Sequence, residues 1–208
     1  MAATGRSCRT LLWTLAVAGL GLDQLSKYAI FKWLYNDGQG GEYVIVPGAF
    51  QLLAQFVRGE TVQGTGLLHA LRSFSGETMP RVNQGALFGM GQRHADLANY
   101  IFAGVSLLAA VAIIAWSMRP AAARDKVLCF SLGLILAGTL GNLYDRLVFH
   151  GVRDFLYFHW FEWPVFNIAD CCLVCGVIVL TLQALFHAQP ETSQSSDLAR
   201  SPVATEAK

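Results

Sequence analysis

Four long apolar runs, at residues 10–33, 97–118, 127–149 and 165–187, are separated by segments of mixed and polar character. Each is long enough to cross a hydrocarbon core of about 30 Å as a helix of about 20 residues. The second run carries no charge, and Pro164 stands at the entrance of the fourth, where a missing N–H costs a helix least. In the first, Ala16-Val17-Ala18 has the form of a signal-peptide cleavage site. The apolar character continues well past Ala18, so the run is read as a retained span.

Between the first two runs, residues 36–96 are broken by Gly38-Gln39-Gly40-Gly41, Pro47-Gly48 and Gly64-Thr65-Gly66, which are turn signals. Residues 44–46 and 50–57 read as short strands. In 67–74, apolar residues at 67, 68, 71 and 74 have the spacing of an amphipathic helix, one that lies flat on a bilayer or packs as a small helix. The long 50–82 segment is expected to be a flap over the substrate. From Ala188 the chain turns Ser-, Glu- and Gln-bearing with Pro190 and Pro202, a disordered-tail composition. The expected fold is an all-α integral membrane protein with four transmembrane helices, a small extracytoplasmic β/loop subdomain and an amphipathic helix. Its domains are a membrane unit at 1–187, with 36–96 extracytoplasmic, and a cytoplasmic tail at 188–208.

Composition agrees: 54% of the 208 residues are hydrophobic and 14% charged, against roughly a quarter charged in soluble domains. A net charge of +1 supplies no basic field for a nucleic-acid partner. Five cysteines, four of them in apolar runs, argue against a disulfide framework. Arg6, Arg9 and the loop with Arg119, Arg124 and Lys126 are expected on the cytoplasmic side, with both termini.

This orientation collects the polar residues of the runs at the outer end, with none expected near the inner one. Asp23 and Lys27 share one face of the first run, as a packing pair or in a direct role. Asn142, Asp145 and Arg146 close the third run, Asp154 follows it, and Asn167 and Asp170 open the fourth. Asp170 is expected roughly 6–9 Å below the entrance, at ~1.5 Å per residue. Carboxylates beside lipid cost several kcal/mol, so each needs a partner or a purpose. Asp23 has Lys27 one turn away and Asp145 adjoins Arg146, which suits structural roles. Asp154 and Asp170 lack a cation at helical spacing. Two such carboxyls brought together share a proton, one acting as base on water and the other polarising a carbonyl.

Other chemistries are less well served. No Gly-x-Ser-x-Gly or His-Glu-x-x-His occurs, and Cys171, Cys172 and Cys175 offer half a zinc site with no second half. No metal or cofactor is expected. His150 and His159 read as interfacial side chains. A proton-coupled carrier would want acidic groups at the midplane and two related halves.

Asp23-Gln24-Leu25-Ser26-Lys27, Asn83-Gln84-Gly85-Ala86-Leu87-Phe88, Gly141-Asn142-Leu143-Tyr144-Asp145-Arg146 with Val152-Arg153-Asp154-Phe155, and Phe166-Asn167-Ile168-Ala169-Asp170 resemble, in order, the motifs of the bacterial lipoprotein signal peptidases (signal peptidase II). The resemblance covers residues 10–187. It implies an aspartyl endopeptidase of the bacterial plasma (inner) membrane, with its active site near the outer face. It would cut diacylglyceryl-modified prolipoproteins just before the lipidated cysteine and be blocked by globomycin. It places the catalytic dyad on Asp154 and Asp170, and site support on Asp23, Lys27, Asn83, Gly85, Asn142, Asp145, Arg146 and Asn167. The expected partners are these substrates and membrane lipid, and the expected state is a monomer. Departures are Leu87 for an Ala, Ala137 and Thr139 where the family favours Gly and Ala, and the longer segment between 50 and 83.

Overall fold

The computed structural model describes residues 7–85, 95–160 and 163–187. The expected tail at 188–208 and Ala86 to Phe88 of the second motif lie outside them. Among the described residues five α-helices and five strands follow in the order α1 (Arg9–Trp33), β1 (Gly41–Val46), β2 (Phe50–Ala54), β3 (Phe56–Thr61), α2 (Gly66–Ser73), β4 (Thr78–Pro80), α3 (Ala95–Ser117), α4 (Lys126–Phe149), β5 (Leu156–Phe158) and α5 (Ile168–His187).

Helix α4 is the post of the bundle: α1, α3 and α5 all pack on it, and buried residues run along it from Cys129 to Phe149. Its small residues admit close neighbours. At Gly141 an added Cβ would lie 2.6 Å from Asp23 Oδ2 and 3.1 Å from the Ala169 Cβ. Helices α3 and α5 turn Val105, Leu108, Val111, Val174, Val177 and Ile178 outward, each at least half exposed, the surface that lipid would cover.

Among the described residues three helices, α3, α4 and α5, are long and apolar enough to cross a membrane; the sequence reading expects four. The 25-residue α1 is long enough but less apolar. Its buried stripe, Leu12, Ala16, Gly19, Asp23, Lys27 and Phe31, follows the three-to-four spacing of one helix face, and two of its six positions are charged. Those charges face α4 and α5, while Val17, Leu22 and Leu25 face out.

The strands sit at one end of the bundle. Antiparallel β1–β2–β5 forms one sheet and antiparallel β3–β4 another. The 50–57 run is thus two strands in two sheets, parting at Gln55. Phe31, Ala54, Phe56, Phe155 and Leu156 make the core that seats the sheets on α1. The helix expected in 67–74 forms as α2. It is bolted to the end of α4 by Arg72, whose guanidinium donates to the carbonyls of Val148 and Gln63, satisfying an orphan carbonyl of the last turn. Leu67 and Phe74 remain 76% and 59% exposed.

The far end has its own polar fastenings, where none was expected. Arg9 donates to the carbonyls of Ser117 and Met118, and Asp125 caps α4 and accepts from Gln183.

Candidate active site

The last helix begins at Ile168, later than the expected 165, because the residues before it are used as strand. Phe166 exchanges backbone hydrogen bonds with Leu156 and accepts from the Phe155 N–H. Asn167 is then the N-cap. Its Oδ1 accepts from the Asp170 N–H at 3.1 Å, while Asp170 Oδ2 accepts from the Asn167 N–H at 3.2 Å. This reciprocal box places Asp170 in the first turn, about 3 Å along the axis at ~1.5 Å per residue, shallower than expected.

Asp154 arrives from the other side, on the stretch between α4 and β5. The stretch is pinned by paired bonds between Val152 and Asn83, 2.8 Å each way, and by the Phe155 N–H to Phe166. Asn167 Nδ2 donates to Asp154 Oδ1 at 2.6 Å, so one buried asparagine holds both carboxyls. Asn83 Nδ2 donates to Asp154 Oδ2 at 3.1 Å. Asn83 is itself aimed by its Oδ1, which accepts from the Gly85 N–H at 2.9 Å. That turn needs φ +83° at Gly85, where a Cβ would also strike the Phe102 ring. Asn142 Nδ2 donates to Asp170 Oδ1 at 2.8 Å. Its Oδ1 accepts from Asn167 Nδ2 at 3.2 Å and from Lys27 Nζ at 3.5 Å, and that partner set fixes which way the amide points.

Beneath this pair lies a second, fully buried one. Lys27 Nζ is 2.8 Å from Asp23 Oδ2 and 3.4 Å from Asp145 Oδ2. Each of these aspartates accepts the backbone N–H just ahead of an upper carboxylate: Ala169 to Asp23 Oδ1 at 2.9 Å, and Arg153 to Asp145 Oδ2 at 2.8 Å. A single strut, Asp23–Lys27–Asp145, therefore spans the two backbone segments that carry Asp170 and Asp154.

Asp145 does not pair with its neighbour Arg146 as expected, since consecutive helix positions do not face each other. Its cations are Lys27 and Arg153, whose Nη2 is 2.8 Å from Asp145 Oδ1. Arg146 points elsewhere: Nη1 donates to the Asn142 carbonyl and the guanidinium lies over Phe102. Among the described residues neither Asp154 nor Asp170 forms an ion pair.

Burial pushes the Asp154 carboxyl up from 3.8 to about 6, and the nearby Asp170 charge adds to it; the Asn167 and Asn83 donors pull the other way. The pair is thus a set of acceptor oxygens from two segments, oriented by neutral donors and able to hold a proton near neutral pH. No group of His, Cys, Asp and Glu among the described residues is arranged to hold a metal ion.

Every expected site residue gathers here. The sequence reading missed Gln24, which donates to Asp23, Asp145 and the Gly141 carbonyl, and Arg153. It also missed Asn99 on α3, which donates to the Arg146 carbonyl. A signal existed for Arg153: a lone arginine among Val148, Phe149, Val152 and Phe155 is one that must be buried and paired. His150 is exposed, and exposed His159 packs on Tyr157.

A family model described as signal peptidase (SPase) II matches residues 15–186. The lipoprotein signal peptidase of Rhodopirellula baltica is 38% identical over 189 residues, spanning 84% of this chain and 71% of that protein. That of Ralstonia nicotianae is 32% identical over 173 residues, spanning 82% of each. In three dimensions the chain is similar to a bacterial membrane enzyme solved in meso at 2.3 Å. The TM-score is 0.62 at 21% identity, over 88% of this chain and 94% of that one, a likeness of fold.

Proposed function

The chain belongs to the signal peptidase II family, proteases that cut signal peptides from prolipoproteins, and we propose that Asp154 and Asp170 perform the cut as an aspartic dyad. The observation that carries this reading is the grip of Asn167 on both carboxyls, with no ion pair to either among the described residues. One carboxyl, ionised, takes a proton from water as it attacks the scissile carbonyl. The other, protonated, donates to the carbonyl oxygen; as the tetrahedral intermediate collapses it takes that proton back, and the first carboxyl passes the water proton to the leaving nitrogen. Burial pushes the Asp154 carboxyl up to about 6, and the two carboxyls share one proton as a coupled pair. Asn83, Asn142 and Asn167 orient them, and Arg146 offers charge to the developing oxyanion.

The substrate is a diacylglyceryl-modified prolipoprotein cut before its lipidated cysteine. Residues 1–187 act as one peptidase unit with α1 as a fourth span, its two charges turned inward. The basic residues at 9 and 119–126 put both termini in the cytoplasm and the strand end, with the dyad, at the outer face of the bacterial plasma membrane. Helix α2 then lies in the outer interface with Leu67 and Phe74 toward lipid. The working state is a monomer in contact with lipid.

The test is shortening of a diacylglyceryl prolipoprotein by membranes holding this protein. Cleavage before the modified cysteine, blocked by globomycin, is expected. Proton-coupled flux without cleavage would replace this reading with a carrier.

A further inference from the structure

Arg153 is only 1% exposed, and its contacts come from two helices, α1 and α4. Its Nε and Nη2 form a fork on the Asp145 carboxylate of α4, at 3.3 and 2.8 Å, while its backbone N–H bonds the same carboxylate. Nη2 also donates to Gln24 Oε1 of α1 at 2.9 Å. The guanidinium carbon lies over two aromatic rings, 4.2 Å from the Tyr28 centroid and 3.9 Å from that of Phe149. A planar fork pairs two ways with a carboxylate while its carbon lies over aromatic rings; a lysine supplies the charge without the plane.

The peptide this side chain immobilises is the one that leads into Asp154. Val152 is held to Asn83 on one side and Phe155 to Phe166 on the other. Those two pins set the strand direction, and the Arg153 clamp draws the turn between them onto α1 and α4. The same Asp145 carboxylate is tied through Lys27 to Asp23 and so to the Ala169 peptide ahead of Asp170. Both upper carboxyls are thereby referred to one buried frame.

We propose that Arg153 is a positioning residue of the cleavage reaction: it fixes the Asp154 carboxyl against that of Asp170 by clamping the preceding peptide to Asp145, Gln24, Tyr28 and Phe149. This rests on the dyad reading above. Arg153 touches neither substrate nor the reacting atoms. Its loss acts through the placement of Asp154, and an ångström of misplacement costs on the order of 100-fold in rate.

Arg153→Lys and Arg153→Met are compared with the parent and with Asp154→Asn. All are purified in detergent and assayed on one diacylglyceryl-modified prolipopeptide, with turnover expressed per folded molecule. Arg153→Met is expected to lower kcat about 100-fold with KM within about twofold, and Arg153→Lys to restore part of that loss. The pH–rate limb set by Asp154 should move in both. Where Arg153→Met fails to accumulate, Arg153→Lys, which keeps the buried charge, carries the test. Parental kcat and pH profile in Arg153→Lys, with Asp154→Asn inactive, would overturn the positioning role and leave the dyad standing. Loss confined to protein yield would overturn it equally. An active Asp154→Asn would overturn the dyad instead.

Discussion

Asp23 and Asp145 are fully buried and face cations, whereas Asp154 and Asp170, each held through the peptide next to it, are partly exposed and face amides. The lower pair shares Lys27 and adds Arg153, two positive charges on two negative ones, so the cluster is neutral inside the bundle. Cations beside the lower carboxylates favour their ionised form. The upper pair is oriented just as firmly, by Asn83, Asn142 and Asn167, but amides orient a carboxyl without neutralising it. What separates the two pairs here is the charge of the donors, not how many there are.

Lys27→Met leaves Asp23 and Asp145 buried together with Arg153 alone to offset them, and removal of one partner from a buried ion network costs about 3–5 kcal/mol. The expected result is a sharp fall in folded protein, read by membrane abundance and thermal unfolding; normal abundance would show that the network is not a strut.

A somewhat smaller effect belongs to the upper side. The folded value of Asp154, about 6, lies above its ordinary 3.8, so the native state binds the proton more tightly than the unfolded chain. The stability it contributes is complete below the ordinary value and lost as pH rises through about 6, up to roughly 3 kcal/mol in all. The parent should gain melting temperature between pH 7.5 and 5 relative to Asp154→Asn. Parallel pH curves would mean an unperturbed carboxyl.

Gly141→Ala sharpens the contrast more gently. Its Cβ meets Asp23 Oδ2 at 2.6 Å, so overpacking should cost about 1–3 kcal/mol while the cleavage chemistry per folded molecule persists. The smallest effect is expected in α2. Leu67→Ser with Leu68→Ser changes exposed side chains, so stability should move by under about 0.5 kcal/mol. Depth-dependent quenching at position 67 should report lipid contact in the parent; a water-exposed probe there would remove α2 from the interface.

Run length placed α1, α3 and α4 within a residue or two of their observed bounds, because long apolar periodicity is a local property. The start of α5 was misjudged because Phe166 is claimed by Leu156, a strand partner ten residues back. The sequence marks Asp154 and Asp170 as the carboxylates without a cation at helical spacing, and the structure brings both to Asn167. The true partner of Asp145 was not, since Arg153 reaches it around the end of a helix, a geometry with no sequence period. The bolt from Arg72 to Val148 was hidden for the same reason, joining residues 76 apart in the chain.

The central claim is that the upper pair does chemistry and the lower pair holds it in place. It is tested most directly by measuring cleavage per folded molecule and melting temperature together for Asp23→Asn, Asp145→Asn, Asp154→Asn and Asp170→Asn. The account predicts a crossed pattern: the 154 and 170 variants folded with cleavage down by at least about 10³-fold, the 23 and 145 variants less stable but still cleaving. Substantial cleavage by either upper variant at parental folding, or abolished cleavage by a fully stable lower one, would contradict it.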